Sequence, residues 1–230
     1  MREAMTQSLF FGVVLTLLSF ELGLFIKKKT KWAIANPVLI AVVIIITVLL
    51  TCNIDYQVYS QGAEYISLFL TPATVSLAIP LYRQMALLKK YPAAIFGGIA
   101  SGVLTAMGSI FLMSLAFSLN HAQYVTLLPK SITTAIGMGI SNKMGGIVNI
   151  TVVAISITGL FGAISAEAVC KLFKIGEPIA KGLAIGTAAH ALGTTKAMEM
   201  GEIEGAMSSL SIVVAGIMTV ISVSIFAGLI

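Results

Sequence analysis

Charge is what this sequence most lacks. Only 10% of its 230 residues are Asp, Glu, Lys or Arg, where a soluble domain carries about 25%. Too few charges remain to cover a water-facing surface, while 58% of the residues are hydrophobic and the mean hydropathy is +1.02. Cysteine and histidine are equally scarce. With two of each (Cys52, Cys170, His121 and His190), no zinc-type ligand spacing and no disulfide framework can be drawn. Both cysteines sit at the ends of apolar stretches and read as packed small hydrophobes. The chain also has no G-x-S-x-G elbow, no H-E-x-x-H and no pair of carboxylates within an apolar stretch, so neither a hydrolase nor any other enzyme is expected. No cofactor or metal is expected either.

The apolar residues are blocked rather than scattered. Residues 4–20, 33–51, 65–82, 91–119, 144–166, 182–195 and 205–230 contain no charged side chain. A helix crossing the hydrocarbon needs about 20 mostly apolar residues. Five blocks reach or approach that length, whereas those around Pro72–Pro80 and Gly186–Thr195 are interrupted. The first block lacks the basic flank and small-residue cleavage site of a signal peptide, and is kept as part of the protein. These observations predict an all-α integral membrane protein of six to seven transmembrane helices plus a re-entrant segment, forming one polytopic domain over residues 1–230.

The formal net charge of +5 does not point to nucleic acid, because the basic residues fall between the apolar blocks. Lys27, Lys28, Lys29 and Lys31 follow the first block. Arg83, Lys89 and Lys90 follow the third, and Lys171, Lys174 and Lys181 follow the fifth. Placing these loops in the cytoplasm accounts for ten of the fourteen basic residues. The N-terminus is then expected outside and the C-terminus in the cytoplasm. Residues 124–143 must in that case enter and leave on the outer side as a re-entrant segment; a full span there is the alternative, and it would put Lys171 and Lys174 outside. Two triplets of spans, within halves of about 33–119 and 144–230, then run in opposite directions. Each has an interrupted middle member, the pattern of a 3+3 inverted repeat with its binding site at the breaks.

Candidate site residues lie at those breaks. Pro72 and Pro80 remove two backbone donors, and the nearby Thr71, Thr74 and Ser76 either satisfy the freed carbonyls or face a ligand. Lys130 follows Pro129 inside a hydroxyl-rich stretch with Ser131, Thr133 and Thr134. A lysine at membrane depth costs about 2.5–3.5 kcal/mol on insertion scales, and near a helix start it suits a carboxylate; snorkelling to the interface is the competing role. In the last break, the small residues suit either close helix packing or a ligand-lined gap. There His190 either packs as a hydrogen-bonded side chain or carries a coupled proton, with Glu199 as a partner or an exposed charge, and Thr194 lies close by.

The motifs as a set resemble the LrgB/CidB family along essentially the whole chain. They are Asn36-Pro37; Pro72-Ala73-Thr74 with Ala78-Ile79-Pro80-Leu81-Tyr82; Leu128-Pro129-Lys130-Ser131 with Thr133-Thr134; Gly145-Gly146; and Gly182-Leu183-Ala184 with Gly186-Thr187, His190, Gly193-Thr194 and Gly205-Ala206. Relatives often have proline and then alanine where this chain has Ala135 and Gly137. The resemblance implies one of two roles. Some members are named antiholin-like and are paired with a smaller LrgA/CidA-type membrane protein in control of murein hydrolase activity and lysis. Others look like carriers of small monocarboxylates, such as bacterial pyruvate uptake systems and the plastid glycolate/glycerate transporter. The broken helices with Lys130 and His190 favour a carrier of a small organic anion in the cell membrane. In that reading Lys130 takes the carboxylate, and Thr71, Thr74, Ser76, Ser131, Thr133, Thr134, His190 and Thr194 orient the anion. A coupled proton would use His190 and Glu199. A homodimer and an LrgA-like partner are further expectations.

Overall fold

A computed structural model describes residues 8, 10–30, 35–69, 72, 75–76, 78–83 and 85–230. The described residues are helical throughout and contain no strand. They fall into two compact units, residues 1–76 and 77–230. The expected placement of the N-terminus, and the expected roles of Thr71 and Thr74, lie outside the described residues.

The first unit holds α1 (Phe11–Thr30), α2 (Pro37–Thr51) and α3 (Tyr56–Ser67). Asn36 caps α2 by accepting from the Val38 and Leu39 amides, and Pro37 opens the helix where its missing N–H costs nothing. α1 packs on both neighbours. At Gly12 an added Cβ would run into the Tyr59 carbonyl of α3, and at Gly23 into Pro37 of α2. Thr16 and Tyr59 share a hydroxyl hydrogen bond of 2.9 Å. Cys52, just past α2, is exposed, unlike the packed residue expected there; Cys170 of the second unit is buried.

The second unit begins with the short helices α4 (Ala78–Arg83) and α5 (Met85–Lys90). Then follow α6 (Pro92–Ala116), α7 (His121–Leu127), α8 (Thr134–Lys143), α9 (Val148–Leu172), α10 (Pro178–Met200) and α11 (Glu202–Phe226), closed by a 3-10 turn at Ala227–Leu229. Among the described residues, Pro92–Ala116, Val148–Leu172 and Glu202–Leu229 are long and apolar enough to cross a membrane. At 1.5 Å per residue each exceeds the roughly 30 Å hydrocarbon thickness. α6 buries Ile95, Ile99, Val103, Met107 and Ile110, a helical stripe that packs on Leu183, Met207 and Leu210.

α7 and α8 are too short to cross. They form a hairpin whose tip is Leu128–Thr133. Asn120 and Gln123 form a capping box at its start. Both arms are held to the start of α9. Thr126 accepts from the Ile147 amide at 2.7 Å, and the Thr151 hydroxyl lies 2.9 Å from the Thr126 carbonyl and 2.7 Å from Ser141 Oγ. An added Cβ at Gly137 would strike Ile155 Cδ1. Glycine at this position lets α8 lie close on α9.

α10 departs from the sequence expectation. Its 23 residues were expected to contain a span, yet the chain reverses at His190, where φ is 42° and ψ is −133°. The contacts with α11 show the reversal. Gly182 lies against Glu204 and Met207, and Gly186 against Ser208; then Thr194 bonds Ser208, and Met198 packs on Gly205. Residues 182 and 198 would be about 24 Å apart in a straight helix, but here they touch neighbouring residues of one helix. Residues 178–189 therefore run parallel to α11 and 191–200 antiparallel to it. α10 is a second hairpin.

The reversal also decides at which end of the unit α11 starts and finishes. Because α10 returns to the end where it started, α11 begins beside Arg83, whose guanidinium lies 3.9 Å from Glu202. α11 finishes at the opposite end, where the His121 Nδ1–H donates to the Ile230 carbonyl (2.7 Å) and the Tyr124 hydroxyl donates to Phe226 (2.8 Å). The C-terminus thus lies across the unit from Lys171, Lys174 and Lys181, whereas it was expected on their side.

Candidate functional site

The two hairpins enter from opposite ends, and their tips converge on the middle of α9. The first hairpin reaches Ile155 through Gly137 of α8, one turn beyond its tip. The second reaches the same turn, where His190 Nε2–H donates to the Ile155 carbonyl at 3.1 Å. Gly159 makes room for the imidazole, since a Cβ there would sit 2.6 Å from His190 Cε1. A further glycine, Gly162, lies against Ala189. α9 is therefore the post on which both reversals rest.

Beside this junction lies a cavity of about 1380 Å³ within the second unit. α6 contributes Ser101, Gly102 and Thr105, α9 contributes Thr158 and Ser165, and residues 178–188 of α10 form a wall of small side chains. Tyr91, Glu177 and Ile203 line the end from which α6, α10 and α11 start. Lys130 and Ser131, at the tip of the first hairpin, line the other end, level with the midpoints of α6 and α9. Lys130 Nζ donates to Ser131 Oγ at 3.1 Å. No carboxylate pairs with Lys130 among the described residues. A partly buried ammonium with no counter-ion among the described residues, at a mostly apolar cavity wall that carries a few hydroxyls, creates a local positive potential suited to a small anion.

The remaining candidates lie elsewhere. Thr133 caps α8 through its backbone alone, and neither it nor Thr134 lines the cavity. His190 and Thr194 are buried in the second hairpin. Thr194 donates to the His190 carbonyl (2.9 Å) and shares a 2.7 Å hydroxyl contact with Ser208 of α11. Glu199 is exposed and accepts from Lys196 at 3.4 Å, and Lys196 also pairs with Glu167 of α9. Ser76 is exposed in the first unit. Sequence reasoning passed over Ser101, Thr105, Thr158 and Thr187, hydroxyls on the cavity wall. Their signal was one of register: Ala180, Ala184, Thr187 and Ala188 recur at helical spacing as a stripe of small residues.

A match to the LrgB-like family covers residues 16–229. The chain belongs to that family. It is 39% identical over 226 residues to the antiholin-like protein LrgB of Bacillus subtilis strain 168, covering 98% of each chain. The antiholin-like proteins LrgB of Bacillus cereus strain B4264 and of Bacillus anthracis strain CDC 684 / NRRL 3495 are each 38% identical over 224 residues, covering 97% of each chain. No solved structure matches this LrgB-family chain. The family assignment and the three long apolar helices together make it an α-helical membrane protein.

Proposed function

We propose that this LrgB-family protein carries small organic anions, monocarboxylates such as pyruvate, glycolate or glycerate, across the cell membrane. The observation that supports the reading is Lys130: an ammonium with no counter-ion among the described residues, lining a cavity where two helical hairpins meet. Carriers with paired broken helices bind substrate at such a midplane junction, and a rocking or sliding bundle then exposes it to either side. In this reading Lys130 and Ser131 take the carboxylate. His190, bonded to Ile155 and off the cavity wall, serves as the clamp of the second reversal, and Glu199 serves an ion pair with Lys196. Six to seven spans in all, a loose inverted repeat, a homodimer and an LrgA-like partner complete the proposal. The cytoplasm is assigned to the end that bears Lys89, Lys90, Lys171, Lys174 and Lys181.

The names of the relatives favour a second reading, an antiholin-like regulator of murein hydrolase activity and lysis that acts through a holin-like partner. Uptake of labelled pyruvate and glycolate into proteoliposomes, with and without an LrgA-like protein, separates the two. Saturable uptake supports the carrier. No uptake by folded protein in either format, with lysis control intact in cells, supports the regulator.

A further inference from the structure

The Thr187 hydroxyl has no hydrogen-bond partner although the residue is 6% exposed. A buried hydroxyl in a helix ordinarily donates to the carbonyl one turn earlier or to a neighbouring helix, and leaving it unpaired is costly. Thr194, one turn beyond the reversal, does what is ordinary: it donates to His190 and meets Ser208. Ser19 and Ser114 are also unpaired, but neither borders the cavity. Thr187 does border it. It also lines a void of about 10 Å³ on the cavity's inner side, shared with Ser131 of the first tip and Thr219 of α11. The residue sits on the second hairpin, directly against Gly102 of α6, where an added Cβ would lie 2.7 Å from Thr187 Cγ2. The Thr187 side chain is thus packed in position, lining the same cavity as the first hairpin's Lys130 and Ser131, with a donor that nothing among the described residues uses.

We infer that Thr187 is an anion-binding residue whose hydroxyl finds its partner in an oxygen of the bound carboxylate. The inference rests on the carrier reading above and adds to it the second hairpin's share of the site. An anion held by Lys130 and Ser131 on one tip and by Thr187 on the other bridges the two hairpins, so binding draws together two elements that enter from opposite ends. The anion supplies the Thr187 hydroxyl with a partner that the described residues do not.

The test compares wild type with Thr187→Val, which keeps the shape and removes the hydroxyl, and Thr187→Ser, which keeps the hydroxyl. Thermal midpoints are measured without ligand, and pyruvate and glycolate uptake is measured in proteoliposomes. Thr187→Val should raise KM by ~10-fold, the effect of losing one hydrogen bond to a charged group, with a ligand-free midpoint no lower than wild type. Thr187→Ser should stay within about threefold of wild type, since it retains the donor. A lowered ligand-free midpoint for Thr187→Val overturns the inference, because the hydroxyl then has a partner without the anion, such as a water in the small void. An unchanged KM overturns it as well. Failure of wild type itself to move either anion ends the carrier reading and this inference together, an outcome that the wild-type arm reveals by itself.

Discussion

His190 donates to the carbonyl of Ile155 at the middle of α9, and this bond ties the reversal of one hairpin to the turn that the other hairpin packs against. A non-glycine residue at φ 42° holds a conformation that costs on the order of 1–3 kcal/mol and persists only where its surroundings impose it. Here they do so: Gly159 and Gly162 let the reversal seat on α9, while Ser208 is contacted by both arms.

Filling Gly159 should therefore unseat the second hairpin. Gly159→Ala puts a methyl 2.6 Å from the imidazole, and overpacking of this kind costs about 1–3 kcal/mol. Thermal unfolding in detergent should show a lowered midpoint. An unchanged midpoint would mean that His190 does not sit where the structure has it.

The imidazole itself is expected to act through its donor rather than through its proton. His190→Gln keeps an N–H for Ile155 and removes titration, so uptake should persist with an unaltered pH profile, while His190→Leu should be destabilised by about 1–3 kcal/mol for the lost donor. Loss of pH dependence in His190→Gln, with the protein still folded, would restore proton coupling to His190.

The fold-back of α10 makes a sidedness prediction. With Cys52 and Cys170 replaced by serine, single cysteines at Gly176 and Glu202 should react with a membrane-impermeant maleimide from one face of the membrane, and a cysteine at His121 from the other. If α10 spanned, Gly176 and Glu202 would label from opposite faces.

Much of this was legible in the sequence, but unevenly. Lys130 stood out because a lone charge after Pro129 in an apolar stretch has few structural uses, and the first hairpin followed from Pro129 and the charge pattern of the flanking loops. The second hairpin did not show itself as a reversal. Residues 178–200 are as long as a span, hold no proline past Pro178, and turn at a histidine rather than at a glycine. What bends them is tertiary. Gly182, Gly186 and Gly205 let both arms lie on α11, and no local rule encodes contacts that far apart. Reading α10 as a span put the C-terminus on the side of Lys171, Lys174 and Lys181, whereas α11 ends across the unit from them. Thr187, quoted only within a motif, was not picked out as a site residue for a related reason: its lack of a partner becomes visible only once α6 and the tip of the first hairpin are in place.

The carrier account stands or falls on Lys130. Uptake of labelled pyruvate and glycolate should be compared in proteoliposomes of wild type, Lys130→Ala and Lys130→Arg, each verified as folded by its thermal midpoint. The account predicts saturable uptake by wild type, a rise in KM of about 10- to 100-fold for Lys130→Ala from loss of a charged hydrogen-bonding group, and partial retention for Lys130→Arg. Uptake by Lys130→Ala that matches wild type would contradict it.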